Sequence, residues 1–274
     1  NAGAFDIEED NKETSQIEGG IVVFGFEKAY MDIPEGKVLF DVKGKSIYSP
    51  LGDEEFINVN ARAGTIGPQS ETHPSTIFAT ACYPYETILG DSVCIDTDII
   101  GEGKGQKACI VKDLAFTKGQ GAPVAVTKVE TRMLPQDNGK IKPHFLVYVK
   151  NAGNGEVINP SEINTSCTSS ALDYTDFNIL IVNAALSGIP LRCSEDTGAV
   201  PGPATIRLRD KEDLIRCTYE GADLNGDGVI DNKIIDGKRD IEAISAGLDA
   251  YIAPLRVELD YGYTFTISKD IIIE

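Results

Sequence analysis

The sequence predicts an all-β protein, and three observations support that prediction. Segments rich in Val, Ile, Thr and Tyr alternate with a period of two, as in FINVNARA and PVAVTKVETRML. Gly, Pro, Asn and Asp separate these segments at short intervals. Helical spacing occurs in one segment, 238–252, where Ile241, Ile244 and Leu248 predict a single helix. Short alternating strands bounded by turn residues favour a β-sandwich.

The arrangement of these segments predicts two domains in series. The chain has 274 residues, and domains commonly contain about one to two hundred. Residues 101–121 are rich in Gly, which frees the backbone, and they precede Pro123, which interrupts regular pairing. We therefore predict a connector at 101–121 between β-sandwich domains at 19–100 and 122–274, with an N-terminal arm at 1–18.

One sequence pattern occurs twice, in ACYPYETILGDSVCID, which begins at Ala81, and in DYGYTFTISKDIII at 260–273. The Tyr-Pro-Tyr of the first copy aligns with the Tyr-Gly-Tyr of the second. We interpret each copy as the closing hairpin of one domain, with a tight turn such as Gly90-Asp91 after the tyrosines. A chance similarity between Tyr-rich strands is the alternative.

Six cysteines are spread along the chain at Cys82, Cys94, Cys109, Cys167, Cys193 and Cys217. None forms a C-x-x-C pair, and zinc sites usually need closely spaced Cys or His pairs. Disulfides in an oxidising, extracellular setting are therefore favoured, with free thiols in a cytosolic protein as the alternative. We expect a Cys193–Cys217 pair in the second half of the chain. The turns between the other cysteines leave open two mutually exclusive hairpin pairs, Cys82–Cys94 and Cys94–Cys109.

The chain is strongly acidic, with 43 Asp and Glu against 25 Lys and Arg and a net charge of −18. Nucleic acid and anionic membranes are disfavoured as partners, because both require clustered basic residues. No apolar run of about 18 residues is present, so we expect no spanning helix. The start NAGAFDIEEDNKETSQ lacks Met, and we interpret it as a mature N-terminus left by signal-peptide removal. A trimmed chain is the alternative.

The segment DLNGDGVID, residues 223–231, has the pattern of the first part of an EF-hand loop. Oxygen ligands at alternate positions around a Gly turn suit a hard cation such as calcium. The candidate metal ligands are Asp223, Asn225, Asp227, the Val229 carbonyl and Asp231. The twelfth position of an EF-hand loop usually holds a bidentate Glu, but here it is Ile234. We therefore predict a calcium site with an incomplete ligand set, and an acidic turn without metal is the alternative.

The other motifs predict no catalytic site. The Gly-rich segments GEGKGQ and KGQGAP lack the P-loop pattern. His73 has Ser75 and Asp53 near it in sequence, but there is no G-x-S-x-G motif, so we expect no enzyme activity. Asn164 begins the tripeptide Asn-Thr-Ser in a polar segment and is a candidate glycan site.

A family resemblance is carried by residues 147–153, VYVKNAG, which have the form V-x-V-x-N-x-G. This strand end resembles that of immunoglobulin-like, cell-adhesion-type domains in secreted archaeal and bacterial proteins. The stretches CYPYETILGDSVCID, GQGAPVAVTKVE and ELDYGYTFTISKDIIIE are similar to surface proteins of archaea, so the resemblance covers most of residues 75–274. It implies secretion, two tandem immunoglobulin-like β-sandwich domains and a structural or adhesive role, and it carries over no catalytic residue.

These features predict a secreted structural subunit of a cell-surface filament, pilus or surface layer. The arm at 1–18 can add a strand to the sheet edge of another copy, and such a contact propagates into a homopolymer. An arm that is only a tail or a spacer is the alternative. The second functional hypothesis is a monomeric or anchored adhesion module that recognises carbohydrate or protein.

Overall fold

The structure, a computed structural model, describes residues 3–7, 19–98, 101, 103, 105–167, 172–194, 201–221, 234–235, 238–239 and 244–274. Strands dominate this part of the chain. Its helical residues form one short α-helix, α1 (Ile163–Ser166), and the 3-10 turns Asp137–Gly139, Pro160–Glu162 and Tyr174–Asp176. The prediction of an all-β protein is confirmed.

The strands follow one another along the whole described chain. The first nine are β1 (Gly20–Gly25), β2 (Met31–Asp32), β3 (Lys37–Phe40), β4 (Arg62–Ala63), β5 (His73–Asp96), β6 (Leu114–Ala115), β7 (Val124–Gln136), β8 (Lys140–Asn151) and β9 (Glu156–Ile158). The remaining nine are β10 (Ile179–Leu186), β11 (Ile189–Pro190), β12 (Arg192–Cys193), β13 (Ala204–Arg207), β14 (Glu212–Thr218), β15 (Ile234–Ile235), β16 (Lys238–Arg239), β17 (Ile244–Ser245) and β18 (Ala250–Ile273).

The chain forms two compact units that are not consecutive in sequence. Unit 1 contains Asn1–Glu86, Gly153–Leu180 and Asp260–Glu274, whereas unit 2 contains Thr87–Ala152 and Ile181–Leu259. Two of the boundaries between the units fall inside the long strands β5 and β18, which have 24 residues each. The sequence-based division at 101–121 differs, because it keeps each of these strands inside a single domain.

The repeated tyrosine pattern does not mark two hairpins. Gly90 and Asp91 lie within the continuous strand β5 and make no turn. β5 and β18 are neighbours in one sheet, where the Tyr83 ring lies 5.8 Å from that of Tyr263 and the Tyr85 ring lies 6.1 Å from that of Tyr261. Numbers rise along one strand as they fall along the other, so the strands are antiparallel. The tyrosines of the two copies therefore face one another as cross-strand neighbours.

Unit 1 is built on a sheet with the order β3-β1-β5-β18, and β9 also pairs with β18. Ile21 in β1 pairs with Leu39 on one side and with Cys82 on the other. On one face, the Cys82–Cys167 disulfide and Ile163 of α1 form a buried cluster. A second cluster is centred on Met31, Ile33 and Ile273.

Unit 2 has two antiparallel sheets in a sandwich-like arrangement. One contains β10, β11, β13 and the unit 2 portions of β5 and β18, and the other has the order β12-β14-β8-β7-β6 with β17 paired to β8. Alternate residues of β8 and β10 are buried, as expected for strands with one face toward a core. The Thr87 hydroxyl of the first sheet donates to the carbonyl oxygen of Val124 in the second at 2.7 Å.

The helix predicted at 238–252 is wrong. The described residues of this segment form β16, β17 and the start of β18, and Ile244 pairs with Ile141 of β8. The helical spacing of Ile241, Ile244 and Leu248 therefore has no structural counterpart in the described part. Pairing with a neighbouring strand outweighs a weak local preference.

All six cysteines are paired. The predicted Cys193–Cys217 disulfide is confirmed, and its two residues face each other in β12 and β14. Of the two hairpin alternatives, Cys94–Cys109 is formed, which excludes Cys82–Cys94. The Cys82–Cys167 pair has a sequence separation of 85, and no local sequence pattern predicts it.

The disulfides and the lengths of the helices are relevant to where the protein is located relative to the cell. Three disulfides are compatible with a secreted protein, because such bonds persist in oxidising surroundings. In the described part of the chain, no helix is long and apolar enough to cross a membrane.

Candidate interaction site

The described residues of the N-terminal arm, 3–7, are paired with their own unit. Ile7 N–H donates to Val42 O at 3.0 Å, and Val42 N–H donates to Ile7 O at 2.9 Å. Lys45 N–H donates to Gly3 O, and Gly44 N–H donates to Asp6 Oδ1, both at 2.6 Å. The Ile7 side chain is 4% exposed. Ile7 and Val42 therefore form an isolated antiparallel bridge, and we call residues 3–7 the docked arm.

The docked arm lies in line with β1. Gly36 O accepts the N–H of Phe24 in β1 at 3.3 Å. Val42 lies six positions, an even number, after Gly36. The backbone N–H and C=O groups of these two residues therefore point to the same side of the strand, toward β1. Ile7, the partner of Val42, therefore lies on the same side of this strand as β1, in line with β1 and beyond Gly20. Ile7 and Gly20 thus lie in one row although twelve residues separate them in sequence.

Aromatic side chains line the contact of the docked arm. The Phe5 ring lies 5.3 Å from the ring of Tyr85, which in turn lies 6.0 Å from Tyr83. Burial raises the pKa of Tyr85 to about 12, and the Asp6 carboxylate adds to this shift, while a hydrogen bond with Gly3 opposes it. Burial also raises the pKa of Tyr83. Both phenols are therefore neutral near pH 7 and offer the arm an uncharged surface.

An apolar loop follows directly after the arm contact, at residues 43–56. Its side chains Ile47, Tyr48, Leu51 and Phe56 are 86%, 92%, 89% and 79% exposed. The loop is closed by a hydrogen bond from Asp53 N–H to Lys43 O at 2.9 Å. Large apolar side chains grouped on a surface mark interaction sites more often than isolated ones do.

Among the described residues of unit 2, several surface cavities have volumes in the range of ligand pockets. One, of about 360 Å³, is lined mainly by apolar residues, and we call it the proline pocket: Ala184, Ala185, Pro190, Leu191, Pro201 and Pro203. Arg256 and Glu258 also line it. Another, of about 550 Å³, lies beside the Cys94–Cys109 disulfide and includes Lys107, Lys112 and Ile252.

An ionic network shapes the start of the Gly-rich segment in unit 2. Asp98, whose side chain is 2% exposed, accepts the N–H groups of Gly101 and Gly103 at 2.9 and 3.0 Å. Lys107 Nζ lies 2.7 Å from Asp96 Oδ2, and the hydrogen bond with Asp96 raises the pKa of Lys107. The charges satisfy one another, so this cluster has a structural role.

His73 pairs with a carboxylate on the surface of unit 1. Its Nε2 lies 2.8 Å from Glu27 Oε2, and its ring lies 3.9 Å from that of Tyr30. The hydrogen bond with His73 lowers the pKa of Glu27. The hydrogen bond with Glu27 and the ring contact with Tyr30 hold the His73 side chain in place.

The predicted metal ligands Asp223, Asn225, Asp227, Val229 and Asp231 lie outside the described residues. The candidate glycan site Asn164 lies in α1, and its side chain is outside the described part. Among the described residues, no group of three or more His, Cys, Asp or Glu side chains is placed to hold a metal ion.

Sequence reasoning missed the apolar loop. The run IYSPLGDEEF contains four large apolar residues without the alternation of a strand, interrupted by Pro50 and Gly52. This combination was the available signal, because a turn-rich segment has no strand face in which to bury such side chains.

Comparison of the chain with protein-family models, with curated proteins and with solved structures gave no match.

Proposed function

We propose that the protein is a secreted structural subunit that joins copies of itself into a filament, pilus or surface layer by strand addition. Its domains are immunoglobulin-like sandwiches in this proposal. The observation that supports it most is the docked arm, a short N-terminal segment held by backbone hydrogen bonds in the row of a sheet. A segment with this geometry can be supplied by the same chain or by a neighbour.

In the assembled form, residues 3–7 of one copy occupy the position of the docked arm in the next copy. Backbone bonds to Val42 and Lys45 provide affinity, and the burial of Ile7 together with the ring contact between Phe5 and Tyr85 sets the register. An exchange keeps every contact and changes only the molecule that supplies the strand. Exchange of an identical segment between copies is a known route to assembly.

The charge of the chain makes such an assembly sensitive to salt. At a net charge of −18, neighbouring copies repel one another. Salt screens this repulsion within about 10 Å at 0.1 M. Calcium held by the loop at 223–231 reduces the charge further in this proposal. Assembly is therefore expected to require salt or a divalent cation.

The disulfides fit a mechanical role outside the cell. Cys82–Cys167 ties β5 to the end of α1, and Cys193–Cys217 joins two adjacent strands. Covalent links of this kind resist unfolding where chaperones and repair are absent.

The second candidate function is an adhesion module that recognises carbohydrate or protein. The cavity of about 550 Å³ in unit 2 favours it, because this volume suits a small ligand. A glycan array with the monomeric protein tests this candidate. Saturable binding that Ile252→Asp abolishes supports it, and the absence of binding on the array and to surface proteins contradicts it.

The test of strand addition is a disulfide trap. Ile7 and Val42 exchange both backbone hydrogen bonds, and opposed residues of this kind are about 5.5 Å apart at Cα, which suits a disulfide. The double variant Ile7→Cys/Val42→Cys is assembled under reducing conditions, oxidised and analysed by non-reducing electrophoresis. Strand addition gives a ladder of covalent multimers. Each single variant is the matched control and gives no ladder.

Two outcomes contradict the proposal at different levels. Filaments of the double variant in which oxidation forms the new cross-link only within single chains contradict strand addition by the arm, although assembly itself stands. Protein that stays monomeric by negative-stain microscopy at every salt and calcium concentration contradicts the structural-subunit function. Deletion of residues 1–18 is the complementary test and is expected to abolish assembly while the described fold is retained.

A further inference from the structure

We infer that the Cys94–Cys109 disulfide is a site of thiol–disulfide exchange, at which a small thiol with a carboxylate group enters the adjoining cavity and forms a mixed disulfide with Cys109. The disulfide and the cavity belong to unit 2, whereas the docked arm belongs to unit 1, so this inference does not depend on strand addition. It also goes beyond the adhesion candidate, because the product is a covalent adduct.

The three disulfides differ in the exposure of their cysteines. In two of them both cysteines are at most 6% exposed: Cys82, Cys167, Cys193 and Cys217. In the third, Cys94 is 9% exposed and Cys109 is half-buried. Exchange begins with the attack of a thiolate on one sulfur atom, so access to that atom decides which disulfide reacts. A thiol in solution therefore reaches the Cys94–Cys109 disulfide first, through Cys109.

The Cys94–Cys109 disulfide also lines the cavity of about 550 Å³ in unit 2. The cavity reaches solvent beside Ile110 and Ile252, whose side chains are 81% and 62% exposed. Its volume lies within the range of pockets for small ligands. A thiol of a few carbon atoms can therefore enter this cavity and stay in it while attached to Cys109.

The charged residues of the cavity favour a thiol that carries a carboxylate. Lys107 and Lys112 line the cavity, and no Asp or Glu is among its described lining residues. Lys107 is already paired with Asp96 at 2.7 Å. Lys112 is exposed and has no acidic partner in the described part of the chain, because the neighbouring Asp113 pairs with Arg132 at 2.7 Å. The Lys112 ammonium group can therefore attract the carboxylate of an incoming thiol.

The exchange is a balanced displacement. The thiolate of the small thiol attacks Sγ of Cys109, the Cys94–Cys109 bond breaks, and its electron pair leaves on Sγ of Cys94. The Cys94 thiolate then takes up the proton that the small thiol released to water. Attack by Cys94 on the mixed disulfide restores the original bond and expels the small thiol. A second molecule of the thiol can instead attack the mixed disulfide, which gives two free cysteines and the small thiol in its oxidised, disulfide form.

The segment between the two cysteines keeps other bonds when the disulfide opens. The buried carboxylate of Asp98 accepts the N–H groups of Gly101 and Gly103 at 2.9 and 3.0 Å. Lys107 Nζ donates to the backbone carbonyl oxygen of Asp98 at 3.2 Å. These bonds hold residues 98–107 without the disulfide. We therefore expect the exchange to be reversible and to leave unit 2 folded.

The first experiment uses the unmodified chain. The protein is incubated with mercaptoacetate, the free thiols are alkylated at successive times, and the peptides are mapped by mass spectrometry. Cys94 and Cys109 are expected to become labelled about tenfold faster than the other four cysteines, because they are more accessible. Early products are expected to carry mercaptoacetate on Cys109, with an unchanged near-UV circular dichroism spectrum. Equal labelling rates for the three disulfides, or a first adduct on another cysteine, overturn the inference.

The charge of the thiol is tested with Lys112→Gln. Lys118→Gln, at an exposed lysine that is not among the lining residues of the cavity, is the matched control. Two unit charges about 4 Å apart in water attract enough to change a binding constant about fivefold. Lys112→Gln is therefore expected to slow the reaction with anionic mercaptoacetate by up to that factor and to leave the reaction with neutral mercaptoethanol unchanged. Lys118→Gln is expected to behave like the unmodified chain with both thiols.

The contrary result with Lys112→Gln is also defined. The rates are measured in 0.1 M salt, which screens charges more than about 10 Å away, so the net charge of the chain does not obscure the comparison. If mercaptoacetate reacts equally fast with Lys112→Gln and with Lys118→Gln, a carboxylate-bearing thiol is not the preferred ligand, and the inference is overturned.

Two single variants identify the sulfur that is attacked. Cys94→Ser leaves Cys109 as a free thiol, and Cys109→Ser leaves Cys94 free. With the disulfide form of mercaptoacetate, Cys94→Ser is expected to form the mixed disulfide faster, because Cys109 is the more exposed cysteine. The opposite order contradicts attack at Cys109. If either variant fails to fold, the position of the adduct on the unmodified chain decides the question. Filament formation by the protein remains a separate measurement, so each proposal can fail without the other.

Discussion

The two units are built on different principles. Unit 2 has two sheets, and its disulfides have sequence separations of 15 and 24. Unit 1 depends on chain segments that are far apart in sequence, and its disulfide has a separation of 85. It also carries the docked arm and the apolar loop. The comparison teaches that the disulfides of unit 2 join nearby segments, while unit 1 is tied together by a long-range disulfide and carries the docked arm proposed for assembly.

The largest expected effect is the removal of the long-range disulfide. In the chain-entropy model, Cys82→Ala/Cys167→Ala costs about 4.5 kcal/mol, because the bond closes a loop of 85 residues. The matched variant Cys193→Ala/Cys217→Ala is expected to cost about 3.5 kcal/mol for its separation of 24. Denaturant unfolding, with hydrogen exchange of peptides from each unit, measures both. Equal losses, or a larger loss in unit 2, contradict the contrast between the units.

Calcium removal is expected to affect unit 2 alone, because residues 223–231 belong to it. With calcium at about one hundred times its dissociation constant, the loss on chelation is about 2.7 kcal/mol. Thermal unfolding with and without chelator measures it, and Asp227→Ala is expected to remove the sensitivity. Asp137→Ala, at an exposed residue of the same unit, serves as the control. No change on chelation means that DLNGDGVID is a turn without metal.

Two strand glycines provide a smaller, paired test. A Cβ at Gly262 would lie 2.7 Å from Cδ1 and 2.9 Å from Cβ of Ile163 in unit 1, whereas a Cβ at Gly90 meets nothing within 4 Å. Gly262→Ala is therefore expected to destabilise by about 2 kcal/mol through overpacking. Gly90→Ala is expected to stay within about 0.5 kcal/mol of the parent protein. Similar melting temperatures for both variants would show that α1 packs loosely on β18.

The last expected effect is on thermal stability at alkaline pH. Burial raises the pKa of Tyr85 to about 12, so the folded state keeps a proton that the unfolded state releases near pH 10. The contribution of Tyr85 is full below pH 10 and is lost as the pH rises toward 12. Tyr85→Phe cannot release this proton and is expected to flatten the fall in melting temperature over that window. An unchanged slope places the titrating group elsewhere.

Several local features could be predicted from the sequence. Alternation in residues 124–134 and 144–151 predicts β7 and β8, because a half-buried strand exposes alternate residues to water. The expected Cys193–Cys217 pair is also formed, since both residues lie in strands that become neighbours. The predicted sheet content is correct for the same reason: period-two patterns are a local property of the chain.

Other features depend on which strands meet. The tyrosine pattern suggests two hairpins, but Tyr83 and Tyr263 belong to long strands that lie side by side. A repeated sequence pattern is compatible with two separate hairpins and also with two adjacent strands whose tyrosines contact each other. The sequence alone does not distinguish these two arrangements. The segment at 238–252 shows the same limit, because the pairing of Ile244 with β8 outweighs its helical spacing.

By itself, the sequence determined the all-β character, the acidic surface and the presence of cysteines suited to disulfides, since these depend on composition and on neighbours along the chain. Only the tertiary structure decided the Cys82–Cys167 bond, the position of the docked arm beside Val42 and the exposure of the apolar loop. Each of these joins residues that are distant in sequence or depends on what covers a side chain. No local pattern encodes the first property, and for the second the turn-rich run IYSPLGDEEF is only a local signal.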